Sequence, residues 1–129
     1  MKNSKWWSVI LWIAQLLLAV VFIQSGVTKI LNPADLPWPW IKENPNLAKA
    51  TGVLDLLGGI GLVLPAVLRI QPKLVVYAAY GILALMISAS IFHISRGEGS
   101  QIGFNVIVAL IAAFIAWGRQ KKAPIAPRS

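Results

Sequence analysis

Four apolar runs, each long enough to cross a bilayer as a helix, constrain this chain more than anything else in it. The first occupies residues 6–31 and reads WWSVILWIAQLLLAVVFIQSGVTKIL. A hydrocarbon core of about 30 Å takes roughly 20 helical residues, so this run crosses with length to spare for tilt. Lys2 and Lys5 ahead of it imitate a signal peptide, but the run is too long for one and no small-residue cleavage site follows. Asn32-Pro33 ends it, because a residue before proline avoids the helical region.

The second run, 45–68, starts at Asn44-Pro45, an N-cap residue followed by proline in the first helical position. Pro65 predicts a kink or an early end. After a polar turn over residues 69–73, Pro72 opens the third run, 73–94. The polar SRGEGSQ segment separates that from the fourth, 102–118, which is only just long enough to span. Residues 121–129 form a basic, proline-containing tail expected to be disordered. The expected fold is therefore all-α: residues 1–120 make a four-helix transmembrane bundle.

Composition agrees. The chain is 57% hydrophobic and 12% charged, against about 25% charged in soluble domains. It has no cysteine, which removes disulfides, thiolate catalysis and Fe–S ligation. One histidine and four acids supply no protein-only metal site, and a haem lacks a second axial ligand although Met86 lies two turns from His93. The net charge of +8 does not indicate nucleic acid, since the basic residues flank apolar runs instead of forming a dense patch.

The charges also orient the bundle. An even number of spans puts both termini on one side. That side collects Lys2, Lys5, Arg69, Lys73, Arg119, Lys121, Lys122 and Arg128 and no acid. Lys29, Lys42, Lys49 and Arg96 lie on the other with Asp35, Glu43 and Glu98. The positive-inside rule places both termini in the cytoplasm. Trp6, Trp7 and Trp117 then mark the inner interface, Trp38 and Trp40 the outer.

With that orientation, Lys29, Asp55, His93 and Asn105 fall at similar depth near the outer face, one from each span. Gly52, Asp55 and Gly59 share a narrow arc at about 100° per residue, and glycines there allow close helix approach. Phe22, Ser25, Gly26 and Lys29, with Gln15 further along, share a face of the first span; Met86, Ala89, Ser90 and His93 share one of the third. Asn105 aligns with Ala109, Ala112 and Ala116. Each residue has an ordinary role when taken singly. Lys29 is a snorkelling lysine, Asp55 an ion-pair partner of Lys29 or Lys49, His93 an interfacial helix end, and Asn105 an interhelical hydrogen-bonder. Together they make a candidate ligand site, because ionisable groups inside a membrane are functional candidates, with Trp38 and Trp40 as a candidate lid.

The ordered segments VFIQSGVTKIL, GVLDLLGGIGLVLP and LMISASIFHI with RGE after it, together with Asn105 and WGR, resemble the DoxX-like family of small membrane proteins over nearly the whole chain. In the second segment Asp55 stands where glutamate is expected more often. The resemblance implies a four-helix protein of a bacterial-type plasma membrane, associated with quinone-linked oxidoreductases and not an enzyme on its own.

Three functions fit. The first is a redox-associated subunit binding a quinone or similar lipid-like molecule, with a membrane redox partner; a site apolar within the membrane and polar at its face suits such a head group. The second is a carrier of small solutes or lipids, as a homo-oligomer because four short helices enclose little volume. The third is a structural or assembly protein of the lipid bilayer, without a ligand, whose polar cluster only fixes helix register. The charge asymmetry predicts that Asn3→Cys and Gly99→Cys label from opposite sides of intact cells, the second from outside. Labelling of both from outside would refute the orientation.

Overall fold

The computed structural model of the protein describes residues 4–35, 39–97 and 102–126. Five α-helices occur among them: α1 Ser4–Leu31, α2 Pro39–Glu43, α3 Pro45–Leu68, α4 Lys73–Ser95 and α5 Gly103–Lys121, with a 3-10 turn at Pro33–Asp35. Four of these, α1, α3, α4 and α5, are long and apolar enough to span a membrane. The shortest of them, α5, has 19 residues, about 28 Å at 1.5 Å per residue, so it crosses without room for much tilt.

These four form a closed ring in which α1 lies beside α3, α3 beside α4, α4 beside α5, and α5 beside α1. All four contribute to one core, including Leu18 and Phe22, Leu62 and Ala66, Val75 and Ile82, and Val108 and Ile115. Between 22% and 39% of the apolar stretch of each spanning helix is buried inside the protein. The outward faces carry exposed Ile13, Leu17, Leu57, Val67, Ile91 and Leu110. That is far more apolar surface than a soluble monomer leaves to water, and lipid covers it.

Glycines set the spacing around α1. A methyl group added at Gly26 would lie 2.6 Å from the Gly52 carbonyl oxygen, and one at Gly59 would lie 3.1 Å from the Ala19 carbonyl oxygen. So α1 and α3 meet backbone to backbone, as small residues permit in membranes. At the other end, a methyl at Gly118 would meet the Leu11 side chain at 2.5 Å, so α5 packs on α1 with a leucine seated on glycine.

The helix ends refine the expectation. α3 spans Pro45–Leu68, the range expected, and Pro65 does not end it early, although proline has no N–H for the Gly61 carbonyl one turn earlier. Asn44 does precede Pro45 at the start of α3 without a side-chain cap; its Nδ2 donates instead to the Trp40 carbonyl at 3.2 Å, linking α2 to α3. α5 continues to Lys121, so Arg119 is helical. The chain beyond it is not loose at first: Ala123 is buried, its N–H bonds the Gly118 carbonyl at 2.8 Å, and Ile125 packs on the core. The turn joining α3 to α4 is sharp, with Arg69 and Gln71 at φ 54 and 50.

The expected aromatic clusters differ between ends. Trp7 and Trp117 stack edge-on at 5.4 Å, and the Lys122 ammonium sits 5.7 and 5.6 Å from their rings, as in an interfacial belt. Trp40 is instead buried on Phe92.

Gly26→Ala is expected to lower stability by about 1–3 kcal/mol, as overpacking does, measured by thermal unfolding in detergent. Gly81→Ala meets no atom within 4 Å and should keep the helix-propensity gain of roughly 0.5–1 kcal/mol. Equal effects at the two sites would contradict the backbone contact.

Candidate functional site

At the end of the bundle away from the termini, the last turn of α1 faces the second and third turns of α3. The Gly26–Gly52 contact brings the two helices close enough for Lys29 Nζ to reach Asp55 Oδ2 at 2.9 Å. Their side chains are 11% and 4% exposed, so the pair is shielded from water. Ser25, one turn before Lys29, donates to the same oxygen at 3.1 Å. Thr51, one turn before Asp55, accepts from Lys29 at 3.4 Å and donates to the Ala48 carbonyl at 3.1 Å. Lys29 also lies 5.4 Å from the centroid of the Trp40 ring, a cation–π contact.

Both hydrogen bonds to Asp55 from the described residues converge on Oδ2. Beside the pair is a cavity of about 270 Å³ between α3 and α4, lined by Lys29, Trp40, Thr51, Asp55, Met86 and His93 among others. It lies just below the roughly 300–1,000 Å³ of sites for drug-sized ligands, which suits one ring or head group and no more. Leu47 and Ser88, both exposed, stand on its rim, so it opens sideways between α3 and α4.

Above it, α2 forms a short cover. Trp40 and Ile41 are buried against Ala48 and Phe92, with Trp40 edge-on to Phe92 at 5.9 Å. Arg96 at the end of α4 bonds Glu43 of α2 at 2.6 Å and lies 5.4 Å from the Phe92 ring. Glu43 is half exposed, so this surface pair contributes about 0–1 kcal/mol. The apolar contacts hold α2 more than the charges do.

Of the residues singled out in the sequence, Lys29, Asp55 and His93 line this one cavity, and Trp40 roofs it. Asn105 does not line it. Asn105 is buried, but on α5, diagonally across the ring from α3; similar depth is not adjacency in a ring of four. Trp38 lies outside the described residues. Thr51 was not anticipated; its signal was a hydroxyl four residues before an intramembrane acid, on the same helix face. The segment carrying the expected lid residue Trp40 is helical, which was not anticipated, since PWIKE is too short to show a helical period. No three His, Asp or Glu residues among those described lie together as a metal site.

Four lipid-facing helices in a closed ring, with a buried ion pair beside a lateral cavity, define a multi-pass integral membrane bundle. The chain belongs to the DoxX-like family, whose sequence model matches residues 13–115. Comparison with curated proteins and with solved structures gives no match.

Removing either charge leaves the other buried without a partner, which typically costs about 3–5 kcal/mol. Asp55→Asn and Lys29→Met should each destabilise the protein in detergent, and the double variant should recover much of the loss. Additive or negligible effects would mean that the pair carries no coupling.

Proposed function

We propose that the protein is a non-catalytic, redox-associated membrane subunit that binds a quinone or a similar lipid-like molecule at the Lys29–Asp55 cavity. The observation that carries this reading is a buried Lys29–Asp55 ion pair in the wall of a cavity the size of a ring. A head group with carbonyl oxygens accepts a hydrogen bond from Lys29 at one edge, while Asp55 Oδ1 accepts from a hydroxyl. His93 stands on the α4 side of the same space. Met86, Leu85 and Phe92 supply apolar walls.

A tail also has a route. A second apolar cavity of about 220 Å³, lined by Leu54, Leu57, Gly58 and Gly81 among others, continues along the α3–α4 seam, and Leu85 belongs to both. A molecule with a polar ring and a hydrocarbon tail fits that sequence of spaces better than a compact solute does. In this reading the termini are cytoplasmic, the cavity opens to the outer leaflet of the plasma membrane, and a membrane redox partner supplies the catalysis. The competing structural reading rests on the ion pair being satisfied by Ser25 and Thr51, so that it needs no ligand.

Protein purified in mild detergent should carry a quinone or related lipid, identified by mass spectrometry. Asp55→Asn and His93→Ala should lose it. Gly81→Leu, which fills the tail groove from a position where an added methyl meets no atom within 4 Å, should lose it without lowering thermal stability. If the wild type carries no such molecule and none of the three changes growth under oxidative or sulfur-compound stress, the structural reading holds.

A further inference from the structure

The end of the bundle that carries both termini is built around a buried cation with no acid beside it among the described residues. Arg119 is 4% exposed. Its Nε donates to Gln15 Oε1 at 2.7 Å. One terminal nitrogen donates to Ser8 Oγ at 3.1 Å and to the Ala123 carbonyl at 2.9 Å, and the other reaches the Ser8 carbonyl at 3.5 Å. Every one of these partners is neutral. Buried charges are ordinarily paired with opposite charge. Asp35, Glu43 and Asp55, the acids among the described residues, all belong to the opposite end of the bundle.

Arg119 forms part of the wall of a cleft of about 740 Å³ between the α3–α4 turn and the end of α5. Arg69 comes from the turn, Lys73 from the first turn of α4 and Lys121 from the last turn of α5, all three exposed. Among the described residues, four cations and no carboxylate line the cleft. Concave walls with one sign of charge concentrate counter-ions, and Arg with Lys is the usual donor set for phosphate. Arg69 also holds a left-handed φ of 54 at the C-cap of α3, a position ordinarily given to glycine.

The rest of the cleft says what the anion is attached to. Val76 and Ile125 form apolar wall, and Tyr77 and Tyr80 face outward from α4, with Tyr80 Oη accepting from Gln120 at 2.7 Å. Tyrosines at a helix end mark head-group depth, and basic pockets at that depth bind acidic head groups. A soluble polyanion would meet only the mouth of such a cleft. We propose that the cleft lined by Arg69, Lys73, Arg119 and Lys121 binds the phosphate of an anionic phospholipid.

The test uses the full-length protein in detergent, titrated with phosphatidylglycerol or phosphatidylcholine and read by native mass spectrometry. Phosphatidylglycerol should be retained in preference, and Arg69→Gln with Lys73→Gln, both at exposed positions, should weaken its binding about tenfold, each surface cation contributing several-fold. Lys42→Gln at the opposite end should leave it unchanged. Equal retention of the two lipids, or an unaltered affinity in the double variant, overturns the site. If millimolar inorganic phosphate binds without lipid and displaces phosphatidylglycerol, the cleft takes a free anion and the lipid assignment fails.

Discussion

The contact of α1 with α3 through Gly26, Gly52 and Gly59 is the constraint on which the rest of this bundle depends. In lipid there is little hydrophobic force to press helices together, so close packing and polar contacts must hold them. Glycine permits the backbones to touch, and that approach is what allows Lys29 to reach Asp55 at 2.9 Å. A wider crossing would leave an acid and an ammonium each facing hydrocarbon. The ion pair therefore follows from the glycines and, once made, resists their separation.

The same helix organises the other end by different means. Gln15, buried on α1, donates to the Leu62 carbonyl of α3 at 2.6 Å and accepts from Arg119 of α5, so one amide ties three helices. Gly118 lets α5 come close enough for this. The two ends thus differ in electrostatic character. One buries a cation against a carboxylate beside a small, mainly apolar cavity. The other buries a cation among neutral oxygens beside a large basic cleft.

Membrane solvation explains why so much of the fold was legible. With no water to satisfy the backbone, apolar runs of this length must be helices, and Trp6–Trp7, Asn32-Pro33, Asn44-Pro45 and Pro72 punctuate them. Phase did nearly as well: the arc carrying Gly52, Asp55 and Gly59 and the face carrying Ser25, Gly26 and Lys29 do meet. One local signal misled. The basic segment 121–129 reads as a tail, although Lys121 still belongs to α5 and Ile125 packs back on the core.

What the sequence by itself determined is the number of spanning helices, their lengths and which face each turns inward, because these follow from one-dimensional periodicity and from the cost of charge in lipid. What only the tertiary structure decided is who meets whom. Depth along the membrane can be counted in residues, but position around the ring cannot, so Asn105 shared a level with Asp55 without sharing its cavity. Arg119 carried no sign in the sequence that distinguished it from the other basic residues near it. Its burial depends on Ser8 and Gln15, more than a hundred residues away in the chain, brought beside it only when α5 closes the ring against α1.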